Sequence, residues 1–417
     1  MKFLRYIGLY VGIIIGLVLL LTMVACIPNN KNTMIKSAHF YDAHDGIEYK
    51  KDGFKNTMIH YYADSIMLNI IYNIDNKKPL KSIMEAKYYE ERYMDVNDGF
   101  VKTVLDNKKA NHEYIRYWHG SILILKPLLI LFSVDTIYLI NRIILTILGL
   151  VVFIKLYKNS KKLSIAYLIG MIMTTFYIVP YCFEYSWVYY IMLINMLIVL
   201  KVKDLKRIYP LFFITGILTC FFDFLSTEII TLFVPLIVYL WINHKSFKKS
   251  FIIFIKCVIL WTIGYMAMWF TKWILASLIL NINAYDYVFD KAMLRINGLQ
   301  GLPDKSIMYK GLFYRNFNYL YPICIMDDKT IILFIIALFL IFTDYKNIKN
   351  KKLNIILLFI ALSPYVRYLV LANHSYRHAF FTFRMQIITI MSLILIIFNS
   401  LNYDFIIDEI RRVKKWK

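Results

Sequence analysis

Residues Gly120–Val134 read GSILILKPLLILFSV, and whether this stretch crosses a membrane decides the sidedness of everything after it. It is apolar but short, and Lys126-Pro127 interrupts it. A bilayer core needs about 20 apolar residues, so 119–134 reads as an interfacial helix and the next span begins near Thr136. The basic patches Lys155–Lys162, Lys201–Arg207, Lys245–Lys249 and Lys346–Lys352 and the tail Arg411–Lys417 then all fall on the cytoplasmic side, as lysines and arginines between spans do. If 119–134 crossed, the first four patches would move outside.

Working outward, apolar runs at 6–27, 136–153, 163–182, 187–200, 208–222, 229–242, 251–272, 329–343, 353–371 and 384–400 give ten crossings with both termini cytoplasmic. The expected fold is an all-α polytopic membrane protein, one integral domain over 1–417. Hydrophobic residues make up 59% and aromatics 17%, which excludes a soluble chain. The net charge of +22 sits in short patches between spans, so it reports orientation rather than a nucleic-acid partner. The first run could be a signal peptide, and Met23-Val24-Ala25-Cys26 faintly resembles a lipoprotein cleavage site. Met where Leu is usual, and the many spans that follow, favour an uncleaved anchor. The five cysteines lack paired metal-ligand spacing and read as small core residues, and no metal site is expected.

Three segments face outward on this topology. The first large loop, 28–118, is long enough to escape the charge rule. In it Ile66, Met67, Ile70, Ile71 and Ile74 recur at helical spacing behind Asp64, and Ile83–Tyr93 reads as a second short helix, both suited to a membrane surface. The loop 282–328 holds an apolar stripe of Val288, Phe289, Ala292, Met293 and Ile296, with Asp286, Asp290, Lys291 and Arg295 on a solvated face. The last loop, Asn373–Arg384, reads NHSYRHAFFTFR.

Ionisable residues at span ends and outer loops therefore share one side: Asp64, His119, Lys126, Glu184, Asp223, Glu228, Lys272, Asp286, Asp290, Arg295, Arg367, His374, Arg377, His378 and Arg384. FFDFLSTE, at 221–228, places Asp223 and Glu228 between two apolar spans, where an acid is costly and normally faces a polar cavity. They could equally punctuate a tight turn. Asp64 could be a helix N-cap, and Lys126 and Lys272 could snorkel to the interface. Together, outward acids and guanidinium groups suit glycosyl transfer from a lipid phosphate. A carboxylate takes the acceptor proton and arginines hold the phosphate.

The acid before a short helix in YYADSIMLNIIYNIDNKKPL, followed by the Pro-containing WHGSILILKPLLILFSVDTIYLINRIILTILGL, resembles the opening of the GT-C superfamily of membrane glycosyltransferases, which use polyprenyl-phosphate donors. DSIMLN, RYWHG, FFDFLST, KWILASLIL and NHSYRHAFFTFR resemble an uncharacterised group of Gram-positive polytopic membrane proteins. The resemblance implies Asp64 as the first-loop acid, although this chain has Ala63-Asp64-Ser65 where paired acids are common, with Asp42 and Asp45 as rivals. It implies transfer of a sugar, in a bacterial cell membrane, from a polyprenyl-phosphate carrier to an envelope polymer or lipid. Asp64 and Asp223 are the expected catalytic acids. Arg367, His374, Arg377, His378, Arg384, Lys272, Glu228 and His119 are the expected substrate-binding residues. A lipid-linked saccharide flippase, an envelope polysaccharide ligase or polymerase, and a non-catalytic scaffold remain alternatives.

Overall fold

The computed structural model describes residues 2–50, 55–244, 246–299, 304–326, 343 and 350–401. The expected span 329–343 and the tail Arg411–Lys417 lie outside them, apart from residue 343. Among the described residues, seven helices are long and apolar enough to cross a bilayer: α1 (Lys2–Ala25), α7 (Val134–Asn159), α9 (Phe183–Lys201), α10 (Leu205–Phe222), α12 (Phe247–Leu280), α15 (Lys351–Val370) and α17 (Ala379–Ser400). The chain is a mostly helical, multi-pass membrane protein.

Two expected spans take other forms. The run 163–182 is the 13-residue α8 (Lys161–Met173) followed by a break. Thr174 turns its hydroxyl back to the carbonyl of Gly170, Thr175 takes φ 54°, and Pro180 follows. The freed Pro180 carbonyl is satisfied by Asn141 at 2.8 Å. The run 229–242 is α11 (Ile230–Asn243), 14 residues with Pro235 inside.

The bundle is drawn together by small residues and buried hydrogen bonds, as helices in lipid are. A Cβ on Gly216 of α10 would overlap the carbonyl of Trp261, and one on Gly264 of α12 the carbonyl of Phe213. The two backbones touch there. Beside this crossing Trp261 donates to Thr231 at 3.1 Å, Thr231 and Thr219 share a bond at 2.8 Å, and Asn195 donates to Thr215 at 3.1 Å.

Segment 28–118 caps one end. It contains α2 (Lys31–Asp42), α3 (Tyr62–Tyr72), α4 (Pro79–Glu85) and α5 (Val96–Leu105). It also adds a feature to the all-α expectation, two short antiparallel pairs: β1 (Ile47–Tyr49) with β2 (Met58–His60), and β3 (Lys87–Tyr88) with β4 (His112–Glu113). Asn30 and Asp95 cap α2 and α5 through their side chains. The expected helix over Ile83–Tyr93 instead ends at Glu85. Ala86 adopts φ 50° as a left-handed cap, and the chain then turns into β3. The helix α3 is buried from Asp64 through Ile71, inside the cap rather than along a membrane surface.

The deciding stretch forms α6 (Ile122–Leu131), whose ten residues rise about 15 Å, half a hydrocarbon core. Lys126 on it does not snorkel. Its ammonium is buried and donates to Asn29 Oδ1 at 3.0 Å, and burial pulls its pKa down to about 8. At the capped end also lie α13 (Ala284–Asn297), α14 (Lys305–Asn318) and α16 (Ala372–Arg377).

Candidate functional site

Where α3, α9, α16 and the 114–119 segment meet under the cap, a cavity of about 80 Å³ opens, walled by His60, Tyr62, Tyr114, Tyr117, His119, Glu184, Phe224, Arg295, His374 and His378. The positions follow from local backbone. Gly120 donates to the carbonyl of Phe221 at 2.9 Å, and a Cβ there would collide with Phe221, while the indole of Trp118 donates to the carbonyl of Met268. These contacts pin RYWHG against α10 and α12 and turn His119, at φ 55°, into the cavity. His374 and His378 stand four residues apart around α16, on one face.

The protonation pattern follows from the partners. Arg295 donates to His378 Nε2 at 2.7 Å, and a guanidinium has no lone pair to accept with, so His378 is neutral with its proton on Nδ1. That buried N–H has no partner among the described residues. His119 Nε2 donates to the carbonyl of Tyr114 at 3.0 Å, which leaves Nδ1 a buried lone pair without a partner among the described residues. Burial holds His119 and His378 down to about 3, and His374 well below the ordinary range, with Arg295 and Arg367 adding to the effect on the latter two. Opposite them His60 Nδ1 lies 3.5 Å from Glu184 Oε2, and neither atom has a hydrogen-bond partner among the described residues. The cavity therefore offers a free donor, a free acceptor and a carboxylate oxygen.

The acids expected to be catalytic stand elsewhere. Asp64 lies behind the wall, its neighbours Ala63, Ile66 and Met67 lining the cavity. It is the third residue of α3 rather than its cap, and it caps another helix. Oδ2 accepts from Phe183 N at 2.7 Å and Tyr138 OH at 2.9 Å, and Oδ1 from Glu184 N at 2.9 Å, the first two amides of α9. Burial, opposed by those amides, pushes its pKa up to about 7. Asp223 closes the turn after α10. It accepts Ser226 N at 3.1 Å and the Ser226 hydroxyl at 2.5 Å, with Leu225 at φ 69°. Burial, with Glu228 nearby, raises it to about 7.

The expected binding residues divide in the same way. His119, His374 and His378 line the cavity. Arg367 is held bidentately by Glu228, at 2.7 and 3.2 Å, and also donates to Ser375 and toward His374. Arg384 is buried, its guanidinium 4.5 Å from the Tyr185 ring and 4.8 Å from the Phe383 ring, and donates to the carbonyl of Phe380. Arg377 is exposed on α16. Lys272 neither snorkels nor faces the cavity. Wholly buried, it donates to the carbonyls of Ile83 and Met84 and ends α4. Glu184 and Arg295 belonged to the one-sided set of ionisable residues but were not singled out. His60 and Arg116 were missed, although Arg116 opens the quoted RYWHG and His60 directly precedes the quoted YYADSIMLN stretch.

Beside the cavity, and sharing Tyr117 and Arg295 with it, runs an apolar groove of about 590 Å³ between α11, α12, α13 and α15. Along α12 it reaches from Phe254 to Trp273, roughly 28 Å at 1.5 Å per residue. Its capped end carries Arg116, Lys291, Arg295 and the Glu228–Arg367 pair. Arg116, Lys291 and Arg295 enter no ion pair among the described residues, and Arg116 Nε is buried without a partner. A second groove of about 490 Å³ between α6, α7, α9 and α10 carries no charged residue. No protein-family model, no curated protein and no solved structure matches the chain.

Proposed function

We propose that this protein is a membrane glycosyltransferase that takes a sugar from a polyprenyl-phosphate carrier and passes it to a cell-envelope acceptor on the outer face. One observation carries the reading: an apolar groove nearly as long as a hydrocarbon core is thick ends in Arg116, Lys291 and Arg295, which enter no ion pair among the described residues, and shares Tyr117 and Arg295 with a polar cavity. The groove suits a prenyl chain. Arg116, Lys291 and Arg295 suit its phosphate, since guanidinium groups match phosphate oxygens in geometry and charge. The neighbouring cavity, with its free donor and acceptor, suits the sugar. Arg367 and Arg384, bonded as they are, serve the walls rather than the phosphate. On the same proposal α8, α11 and 329–343 complete ten crossings, both termini are cytoplasmic, and the capped end faces outward.

Trp261, Trp269 and Trp273 line the groove, so filling it changes tryptophan emission. Undecaprenyl phosphate titrated into the purified protein in nanodiscs gives a saturable emission change, and undecaprenol binds at least tenfold more weakly. Arg116→Ala and Arg295→Ala each weaken phosphate binding about ten- to a hundredfold, the worth of a hydrogen bond to a charged group. Equal binding of the alcohol and the phosphate overturns the donor assignment.

A further inference from the structure

Transfer to a hydroxyl needs a group that receives its proton, and we infer that Glu184, rather than Asp64 or Asp223, is that general base. The inference rests on the transferase reading. Four carboxylates are buried at the capped end near the cavity, and their partners separate them. Both oxygens of Asp64 are taken by α9 amides and Tyr138. Those of Asp223 are taken by Ser226, and those of Glu228 by Arg367. Only Glu184 among these four keeps a buried oxygen, Oε2, with no hydrogen-bond partner among the described residues, and only Glu184 of the four lines the cavity.

Its surroundings suit the task. Asp64 fixes the Glu184 backbone, and His60 Nδ1 lies 3.5 Å from the carboxylate, which makes His60 a positioning residue. In the reaction the acceptor oxygen attacks the anomeric carbon and its proton passes to Glu184 Oε2. The new C–O bond forms as the bond from that carbon to the phosphate oxygen breaks. The electron pair leaves on the lipid phosphate, where charge grows beside Arg295 and Arg116. Across the cavity from Glu184 stand the neutral rings of His119, His374 and His378, together with Arg295, Tyr62, Tyr114 and Tyr117.

The test compares Glu184→Gln, Glu184→Asp, His60→Asn and wild type in a strain lacking the gene, with lipid-linked saccharides and wall glycans measured by mass. Undecaprenyl phosphate binding is measured in nanodiscs. Glu184→Gln binds undecaprenyl phosphate within about twofold of wild type but restores no more than about a hundredth of the turnover, the scale of a lost general base. Glu184→Asp, which draws the carboxylate back by one methylene, restores part of it. His60→Asn lowers turnover less than Glu184→Gln does and leaves undecaprenyl phosphate binding within about twofold of wild type. An unchanged saccharide and glycan profile in the deletion strain overturns the transferase reading and the base with it. A changed profile that Glu184→Gln restores like wild type overturns the base alone. Wild-type turnover in Glu184→Asp does the same, and carries the test should the Gln variant not accumulate.

Discussion

Asp64 Oδ1 accepts the backbone amide of Glu184 at 2.9 Å, so an acid in the first loop sets the start of a transmembrane helix 120 residues later. The relationship makes the acid expected to be catalytic a support for a second acid. Asp64 holds the N-terminus of α9, where a negative group also favours the helix dipole, and Glu184, the second residue of that helix, is presented to the cavity.

Asp64→Asn tests this assignment. An amide side chain keeps one acceptor oxygen but turns its NH₂ toward a backbone or tyrosine donor, leaving a buried donor unsatisfied at a cost of about 1–3 kcal/mol. The variant melts lower in detergent, and turnover per folded molecule stays within tenfold of wild type. A hundredfold loss of turnover at an unchanged melting temperature would return the base to Asp64.

Glu228 and Arg367 form a buried bidentate pair. Removing either partner strands a charge, so Glu228→Gln and Arg367→Gln each destabilise the protein by about 3–5 kcal/mol. The double variant costs less than the sum of the two. Additive losses in the denaturation cycle would place these side chains in independent roles.

How far these relationships were legible in sequence depends on the distance over which the deciding contact acts. The long apolar runs stood out, because span length is a local property. So did the shortness of 120–134 and the gathering of histidines near 374–378. The fate of each acid did not stand out. Asp64 faces the amides of residues 183 and 184, and Lys272 the carbonyls of residues 83 and 84. Nothing in either local stretch encodes such a partner. Arg295 sits on the polar side of an amphipathic stripe, so periodicity assigned it to solvent, yet that side meets His378. The break in 163–182 carried a readable sign in Thr174-Thr175 and Pro180, hidden by the uninterrupted hydropathy around them.

The proposed sidedness places the Lys155–Lys162 patch in the cytoplasm. With the five native cysteines replaced by serine or alanine, a cysteine introduced at Asn159, the last residue of α7, stays unlabelled by an impermeant maleimide in intact cells and reacts once the cells are opened. Labelling in intact cells sinks the ten-span arrangement.

The last prediction concerns acid. His119, His374 and His378 are neutral in the fold and titrate near 6.5 once released, so below pH 6.5 the unfolded chain takes up protons that the folded one does not. Stability from these groups is complete above 6.5 and is lost as pH falls, by about 1.4 kcal/mol per pH unit for each histidine. Asp64 and Asp223, raised to about 7 from 3.8, act in the opposite sense. The folded state keeps their protons between about pH 4 and 7 while the unfolded chain releases them, and the two effects partly cancel in the wild type. A single substitution isolates one histidine. Asn tolerates the positive φ at position 119, and His119→Asn removes one group from the balance while Tyr114, Arg116 and Lys272 around it stay. The melting-temperature difference between variant and wild type should therefore move in the variant's favour as pH is lowered from 7.5 to 5. A constant difference across that range would mean that His119 takes up its proton in the fold, and the free acceptor at Nδ1 would be lost from the cavity.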